Sequence, residues 1–306
     1  MEGPDIISIT EISKDELKNL FNDTKKIKEE LRHERALNYL EGYVMATAFF
    51  EPSTRTKLSF QVAMLKMGGS FIDLPPYEAS SRAKGENFAD TIRMLDSYAD
   101  VIVIRHRLEG AARFAAEIAE SPVINGGDGT RDHPTQAMID LYTIFEEKAK
   151  LEGLSVGVLG DLKYGRAAKS FTLGISKFEP RIIYLISPPQ LAPLDDLKEE
   201  LDKMNTDYEE VSDLRDVIGE LEVLYVTRIQ KERFPDPLEY ERVKGSYRVD
   251  LDLLSEAKDD LMILHPLPRV DELSLEVDNT HYAKYFTQAS NGVPVRMALL
   301  KRVLKG

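Results

Sequence analysis

The chain has 306 residues, no cysteine and a formal charge of −13, with 42% apolar and 30% charged residues. This length favours two domains, and a chain without cysteine excludes disulfides, thiolate metal sites and a cysteine nucleophile. The acidic balance excludes nucleic acid and acidic membrane as general partners, because both require a broad basic face. With no apolar stretch long enough to span a bilayer, we expect a soluble, untargeted, cytoplasmic protein that holds any anionic ligand with a local cluster of cations.

In chain order, amphipathic stretches alternate with short apolar runs. Ser13 and Glu16 form a capping box that opens a predicted helix reaching about Tyr39. Further helices are predicted over residues 53–67, 86–98, 110–120, 134–150, 165–177, 194–204 and 294–303, with a short one near Asp213. Strands are predicted over residues 43–50, 70–74, 101–104, 123–124, 154–160, 181–186, 223–226 and 261–264. This alternation predicts an α/β fold with two doubly wound parallel-sheet domains joined by interdomain helices.

Two of the predicted helices set the domain boundaries. The helix over 134–150 is long enough to bridge two domains, and the last helix is expected to return to the first domain. We therefore predict a first domain of residues 1–132 plus 290–306, and a second domain of residues 133–289.

The helix start after the first strand carries an unusual set of polar side chains: Ser53, Thr54, Arg55 and Thr56. The first N–H groups of a helix lack internal partners and the helix dipole is positive there, so hydroxyls with a guanidinium favour an anion, most simply a phosphate. The alternative is an ordinary N-cap, since serine and threonine cap helices routinely. One hydroxyl suffices for a cap, so the additional polar groups favour the anion site.

Similar clusters follow other predicted strands. They are Arg105 with His106, His133–Gln136, Asp161–Arg166, Thr227–Gln230 and His265–Arg269. Taken singly, Arg105 could form a surface ion pair and His133 could simply begin a helix. Ligands of open parallel sheets bind at the carboxyl ends of strands, and all the clusters fall there. The small, polar loop over residues 78–86 is on pattern alone equally consistent with a solvated loop.

These motifs together resemble the catalytic chain of the aspartate carbamoyltransferase family. The resemblance rests on Pro52–Thr56 with Lys84 and Gly85, His133–Gln136, Gly160–Arg166, Thr227–Arg233 and His265–Arg269. It covers almost the whole chain, with the motifs in the same order and without a departure at the motif positions. It implies transfer of the carbamoyl group of carbamoyl phosphate to the amine of L-aspartate, an early step of pyrimidine synthesis.

The resemblance also implies a role for each motif residue. The residues implied to bind carbamoyl phosphate are Ser53, Thr54, Arg55, Thr56, Ser80, Lys84, Arg105, His133, Gln136, Leu267 and Pro268. Those implied to bind aspartate are Lys84, Arg166, Arg228 and Gln230. The groups implied in catalysis are Arg55, Thr56, Lys84, Arg105 and His133. The implied reaction needs no cofactor and no metal, because positioning and electrostatics carry it.

The resemblance further implies partners. In the family, the loop from Ser80 to Lys84 enters a neighbouring subunit's site, which implies a homotrimer with shared active sites. Some members join a separate zinc-binding regulatory chain, which the acidic segment at Glu109 and Gly110 could face. Closure of the second domain over bound substrates is expected to pair Glu51 with Arg233.

Two other functions compete with this one. Ornithine carbamoyltransferase shares the early motifs, but that family has a cysteine after the late histidine, where this chain has Pro266 and Leu267. Arg166 and Arg228 would also repel the cationic side chain of ornithine. A non-catalytic scaffold that binds phosphorylated ligands should have lost some polar site residues, and none is missing from the motifs.

Overall fold

The strands form two separate parallel sheets. The computed structural model describes residues 4–231, 234 and 236–306. The first compact unit comprises the described residues up to Thr135 together with Asn291–Gly306, and the second comprises Gln136–Ser290. Each unit has its own sheet, so the predicted fold class of two parallel-sheet α/β domains is confirmed.

The sheet of the first unit has the strand order β2-β1-β3-β4. Its strands are β1 (Val44–Phe49), β2 (Ser70–Asp73), β3 (Val101–His106) and β4 (Val123–Asp128), and its helices are α1 (Lys14–His33), α2 (Thr54–Lys66), α3 (Phe88–Asp96) and α4 (Ala111–Ile118). Val101–Ile104 are buried, as their uninterrupted apolar run predicts for a strand covered on both faces. Ile102 and Ile104 pack with Ile92 and Leu95 of α3 in one hydrophobic cluster.

The sheet of the second unit has the strand order β7-β6-β5-β8-β9. Its strands are β5 (Ser155–Leu159), β6 (Ile182–Ile186), β7 (Tyr208–Val211), β8 (Val223–Val226) and β9 (Met262–Leu264). Its helices are α6 (Arg166–Ser176), α7 (Asp195–Lys203), α8 (Pro237–Val243) and α9 (Leu251–Leu254), and the sequence includes α5 (Pro134–Lys148) and α10 (Tyr285–Lys305) at the two changes of unit. Residues of β8 and β9 pack in one cluster with Leu253, Leu254 and Tyr285.

Helix α1 begins with the predicted capping box but ends earlier than predicted. The Ser13 side chain accepts the N–H of Glu16, and the Glu16 side chain accepts the N–H of Ser13. The helix stops at His33 rather than near Tyr39. Beyond it, the N–H groups of Leu37 and Leu40 donate to the carbonyls of Lys66 and Met67 at the end of α2. Because these carbonyls have no partner within α2, the following segment satisfies them instead of extending α1.

Helix α10 is longer than predicted. Gly292 and Pro294 suggested a helix that begins at Pro294, yet α10 starts at Tyr285 and continues through the proline. Side chains before the proline are held by hydrogen bonds. Gln288 accepts the N–H of His265, and Asn291 accepts a bond from Lys28. These tertiary contacts and the burial of Tyr285 outweigh the local cost of proline.

Three elements were not predicted: β7, α8 and α9. Strand β7 is half exposed and carries Glu209 and Glu210, so it lacks the apolar run that marks the other strands. Helices α8 and α9 span seven and four residues, too few to show a helical period. None of the helices in the described ranges combines the length and apolarity needed to cross a bilayer.

Candidate active site

In both sheets, polar clusters follow the two strands at which the strand order reverses. In the first unit these strands are β1 and β3, which lead to Ser53–Thr56 and to Arg105. In the second unit they are β5 and β8, which lead to Asp161–Arg166 and to Thr227–Gln230. A crevice opens at such a reversal because the two connections leave to opposite faces of the sheet. The topology therefore gives each unit one candidate ligand-binding edge.

The start of α2 is not built as an ordinary cap. Ser53 occupies the N-cap position with an extended backbone, but its side chain makes no capping hydrogen bond. Thr54 and Arg55 are exposed, whereas Thr56 is buried. A hydroxyl that does not cap its own helix is available to an external acceptor. This arrangement favours the anion site over the N-cap.

Arg105 brings the ends of three strands together. Its guanidinium contacts Glu51 after β1 at 2.8 Å and donates to the carbonyl of Gly126 in β4 at 3.2 Å. It also lies 3.4 Å from Nε2 of His133. A Cβ at Gly126 would stand 3.2 Å from the carbonyl oxygen of Ile104 and 3.5 Å from Cγ2 of Thr56, so this glycine permits close packing there. The first unit thus assembles Thr56, Arg105 and His133, which the family resemblance implied as catalytic groups.

The contact with Arg105 indicates the role of the His133 nitrogen Nε2 in hydrogen bonding. A guanidinium can only donate hydrogen bonds, so Nε2 of His133 must present a lone pair to it. His133 is buried. In this contact Nε2 acts as an acceptor, and a ligand oxygen at Nε2 would need a proton on this nitrogen instead.

Glu51 forms an ion pair within the first unit. The sequence predicted an ion pair with Arg233, which lies outside the described residues. In the structure Glu51 pairs with Arg105, and both side chains are about 85% buried, at 14% and 15% exposure. Arg105 therefore holds a carboxylate, an anion, where a phosphate is proposed to bind.

The loop that carries Ser80 and Lys84 is held by Arg82. The Arg82 guanidinium lies 4.9 Å from the ring of Phe50 and donates to the carbonyl of Pro75 and to the Ser80 hydroxyl. Lys84 ends a short 3-10 turn and is exposed. The sequence pattern was equally consistent with a solvated loop because this loop has no apolar side chain that would anchor it. A guanidinium stacked on an aromatic ring serves the same purpose.

In the second unit, Asp161 connects the two loops that carry the predicted aspartate-binding residues. Its carboxylate accepts the N–H of Tyr164, ahead of Arg166, and the N–H of Gln230, two residues after Arg228. Burial raises the pKa of Asp161, while these peptide N–H bonds act to lower it. Arg166 is buried at the start of α6, and Arg228 and Gln230 are half-buried. The structure thus attaches the two loops that carry these residues to one carboxylate.

Gly160 is required where these loops meet. Its φ is +132°, and a Cβ there would lie 2.4 Å from the carbonyl oxygen and the hydroxyl of Thr227. Both facts exclude a larger residue. Gly160 therefore allows the loops after β5 and β8 to approach closely.

The late motif places Leu267 and Pro268 after β9, and His265 holds them. Nδ1 of His265 accepts the N–H of Leu267 at 2.8 Å, and Nε2 lies 2.7 Å from Oε1 of Glu272. Because a peptide N–H can only donate, the ring is neutral and Nε2 carries the proton. Burial lowers the pKa of His265. Burial acts to raise the pKa of Glu272, but hydrogen bonds from His265 and from the Val270 N–H bring it below its ordinary value.

We expect this pair to make the protein less stable in acid. The folded pKa of His265 is below its unfolded value of about 6.5, so its stabilising contribution is complete above that pH and is lost as the pH falls towards the folded value. The lowered pKa of Glu272 acts in the same direction below about pH 4.3. Melting temperatures measured from pH 8 to 4 should therefore fall less steeply below pH 6.5 in His265→Asn than in wild type. The control is the same substitution at the exposed His281. Equal curves of melting temperature against pH for wild type and His265→Asn would contradict the assignment.

Some structural residues of the site were missed from the sequence. Arg82 and Glu272 were not singled out, and each acts on a predicted residue through a contact that spacing does not show. Their positions in the sequence could have indicated them, since each lies within seven residues along the chain of the side chain that it contacts. Across the part of the chain that the structure describes, no three His, Asp or Glu side chains group as metal ligands would.

Two family models match the chain. One, described as the carbamoyl-P binding domain of aspartate/ornithine carbamoyltransferase, matches residues 4–146. The other, described as the Asp/Orn binding domain of aspartate/ornithine carbamoyltransferase, matches residues 152–303.

Relatives and solved structures agree with these matches. The chain is 63% identical to the aspartate carbamoyltransferase catalytic subunit of Thermofilum pendens, over 99% of this chain and 96% of the relative. It is 58% identical to that of Korarchaeum cryptofilum, over 99% of each. The catalytic subunit of M. jannaschii aspartate transcarbamoylase superposes with a TM-score of 0.90 at 46% identity, covering 98% of each chain. The Trypanosoma cruzi aspartate transcarbamoylase in complex with carbamoyl phosphate and aspartate gives a TM-score of 0.94 at 36% identity, covering 99% of this chain and 97% of that one.

Proposed function

The chain belongs to the aspartate carbamoyltransferase family, and we propose that it transfers the carbamoyl group of carbamoyl phosphate to the amine of L-aspartate. The products are N-carbamoyl-L-aspartate and phosphate, in pyrimidine biosynthesis. The observation that carries the proposal is the assembly of Arg105, His133 and Thr56 beside the start of α2. A guanidinium and an imidazole beside an uncapped helix start suit a phosphorylated carbonyl compound.

The phosphate is proposed to rest on the start of α2. Ser53, Thr54 and Thr56 supply hydroxyl and peptide donors, and Arg55 supplies a guanidinium that can bind two oxygens at once. The Ser53 side chain, which forms no cap, supports this role. Arg105 adds a second guanidinium when the phosphate takes the place of Glu51, and Lys84 with Ser80 completes the set.

The carbamoyl oxygen is proposed to lie among Thr56, Arg105 and His133. As the amine attacks, this oxygen becomes negative, so donors placed around it stabilise the transition state more than the substrate. Gln136 holds the carbamoyl nitrogen, and the carbonyls of Leu267 and Pro268 position the attacking amine.

Aspartate is proposed to bind through its two carboxylates. Arg166 and Arg228 each bind one carboxylate in a forked geometry, with Gln230 and Lys84 as further donors. The common attachment of these loops to Asp161 supports a shared site. The same cationic pair disfavours ornithine, whose side chain is positive.

The proposed reaction balances without a cofactor. The amine nitrogen bonds to the carbamoyl carbon, the bond from that carbon to the bridging oxygen breaks, and the departing phosphate receives the amine proton. No side chain of the chain is required as a general base.

The proposed division of labour follows the domain prediction. Residues 1–132 with 290–306 bind carbamoyl phosphate, and residues 133–289 bind aspartate. The descriptions of the two matching family models support this assignment of roles, and their ranges, 4–146 and 152–303, differ from the predicted bounds. We place the protein in the cytoplasm, consistent with a sequence that has no cysteine.

A homotrimer with shared active sites is also proposed. On α2, Leu58, Val62 and Leu65 share one face and are 54%, 37% and 54% exposed. An apolar stripe of this kind on a surface helix marks an interface. It lies on the helix whose start binds the phosphate, so a second copy that covers it would bring a further loop close to that start. Exposed Leu108 and Phe114 flank Glu109 and Gly110, the segment proposed to face a separate regulatory chain.

Titration with N-(phosphonacetyl)-L-aspartic acid tests the proposed function. This compound joins a phosphonate to aspartate, and a T. cruzi aspartate transcarbamoylase has been solved in complex with it. We expect one molecule bound per chain, with inorganic phosphate competing for the site. Heat of binding that is absent at millimolar concentrations, with the wild-type chain folded, would exclude the proposed site.

A further inference from the structure

Several polar groups of the second unit meet at the carboxylate of Asp140. Oδ1 of Asp140 lies 2.7 Å from Nε2 of Gln136 and 2.6 Å from Nε2 of Gln288. Oδ2 lies 2.8 Å from the hydroxyl of Tyr225. Oε1 of Gln288 lies 2.8 Å from the peptide nitrogen of His265. Asp140, Tyr225, Gln288 and His265 are all buried, so these bonds are shielded from water.

The direction of each bond follows from the peptide group of His265. A peptide N–H can only donate, so Gln288 must present its Oε1 to His265. The amide nitrogen of Gln288 then faces Asp140 and donates to Oδ1. Oδ1 of Asp140 is therefore an acceptor.

The orientation of Gln136 follows in the same way. Because Oδ1 of Asp140 accepts, Gln136 must present its amide nitrogen to it. The Oε1 of Gln136 is then the amide atom that remains for a ligand. The reversed amide would place two acceptors against each other in a buried site, at a cost of a lost hydrogen bond or more.

The carboxylate is itself held in place. Tyr225 stacks on Phe171 with ring centroids 4.2 Å apart and planes 9° apart, and its hydroxyl reaches Oδ2. Burial raises the pKa of Tyr225 well above its ordinary value, so the hydroxyl keeps the proton that it donates. Tyr225 in β8 is also paired in register with Leu264 in β9, next to His265. The pairing of β8 with β9 thus fixes Tyr225 and His265, which are the two ends of this series of hydrogen bonds.

We infer that Asp140 is a positioning residue that orients the amide of Gln136, so that the chain selects a ligand presenting an N–H donor to Oε1. This assignment rests on the proposed function, in which that donor is the carbamoyl NH₂ group. Acetyl phosphate has nearly the same shape, but a methyl group replaces the NH₂. A site built to accept a hydrogen bond discriminates against an analogue that lacks the donor, because its acceptor is left unpaired.

The test compares three ligands in four variants. KM for carbamoyl phosphate, and inhibition constants for acetyl phosphate and inorganic phosphate, are measured in wild type, Asp140→Ala, Asp140→Leu and Asp140→Asn. In Asp140→Ala the ratio of the acetyl phosphate constant to the carbamoyl phosphate KM should fall by about tenfold, because Gln136 can then turn its amide over. The inhibition constant for inorganic phosphate should stay within about twofold, since it reports on the phosphate site alone. Asp140→Leu fills the space that alanine would leave empty, and gives the same readout if Asp140→Ala does not fold.

Asp140→Asn provides the conservative rescue. Its Oδ1 can keep accepting from Gln136 and Gln288, while its amide nitrogen faces the Tyr225 hydroxyl, which can also accept. The ratio should therefore stay near wild type. Tyr142→Phe is the matched control, because it removes a phenol-to-carboxylate bond to Glu146 on the same helix without touching Asp140.

Two results would overturn the inference. One is a wild-type ratio in folded Asp140→Ala or Asp140→Leu. The other is an equal weakening of the binding of all three ligands, because a change in the amide orientation of Gln136 should leave the binding of inorganic phosphate unchanged. A wild-type protein without carbamoyl transfer would instead refute the proposed function, so the two failures are distinguishable.

Discussion

Replacing Arg55 by alanine is expected to lower kcat by roughly 10²- to 10³-fold, because one preorganised donor to the developing charge is lost. Arg55 lies exposed in the first turn of α2, where it contributes little to the core. The variant should therefore remain folded, with a melting temperature within a few degrees of wild type. Steady-state kinetics with both substrates, together with thermal unfolding, separate loss of chemistry from loss of fold.

Lys66 provides the matched control for Arg55. It is a cation at the opposite end of the same helix, and its ammonium group lies 3.4 Å from the carbonyl of Arg35. Lys66→Ala should keep kcat within about twofold of wild type. If Arg55→Ala turned over as fast as Lys66→Ala, the start of α2 would not be the phosphate site.

Mixing two inactive variants should restore activity if the sites are shared. Lys84→Ala is expected to be as defective as Arg55→Ala, and as an exposed loop residue Lys84 is dispensable for folding. In the proposed trimer each site would take Arg55 from one chain and Lys84 from its neighbour. After equal amounts are dissociated and randomly reassembled, a complete site needs an intact Arg55 from a Lys84→Ala chain and an intact Lys84 from a neighbouring Arg55→Ala chain. Each condition holds with a probability of about one half, so about one quarter of the sites should have both residues.

The measured quantity is activity after reassembly relative to wild type treated identically. About one quarter of wild-type activity is expected, with each variant reassembled alone as the background. Activity that stays at the background, while sizing confirms mixed trimers, would show that Arg55 and Lys84 serve a site within one chain.

Sequence patterns predicted those parts of the fold that depend on local periodicity. The uninterrupted apolar run of β3 predicted a strand buried on both faces, and the capping box predicted the start of α1. The sequence patterns failed where tertiary contacts determine how far a helix extends. Helix α1 stops because Leu37 and Leu40 pair with the end of α2, and α10 continues through Pro294 because Gln288 and Asn291 are held from outside the helix.

The same distinction applies to the site. Arg105 and His133 were predicted from their positions after strands, but their mutual contact and the pairing of Arg105 with Glu51 required the register of β1, β3 and β4. Asp140 carries no motif signal of its own. Its importance follows from the direction of one peptide N–H, at His265, which lies 125 positions further along the chain.

In the proposed reaction the amine of aspartate receives the carbamoyl group. The most direct measurement incubates the wild-type protein with carbamoyl phosphate labelled with ¹³C at its carbon, with L-aspartate and L-ornithine supplied in separate reactions, and identifies the labelled product by NMR. We predict labelled N-carbamoyl-L-aspartate, with an equimolar amount of phosphate, from aspartate and no citrulline from ornithine. Labelled citrulline, or release of phosphate without a carbamoylated amino acid, would contradict the account.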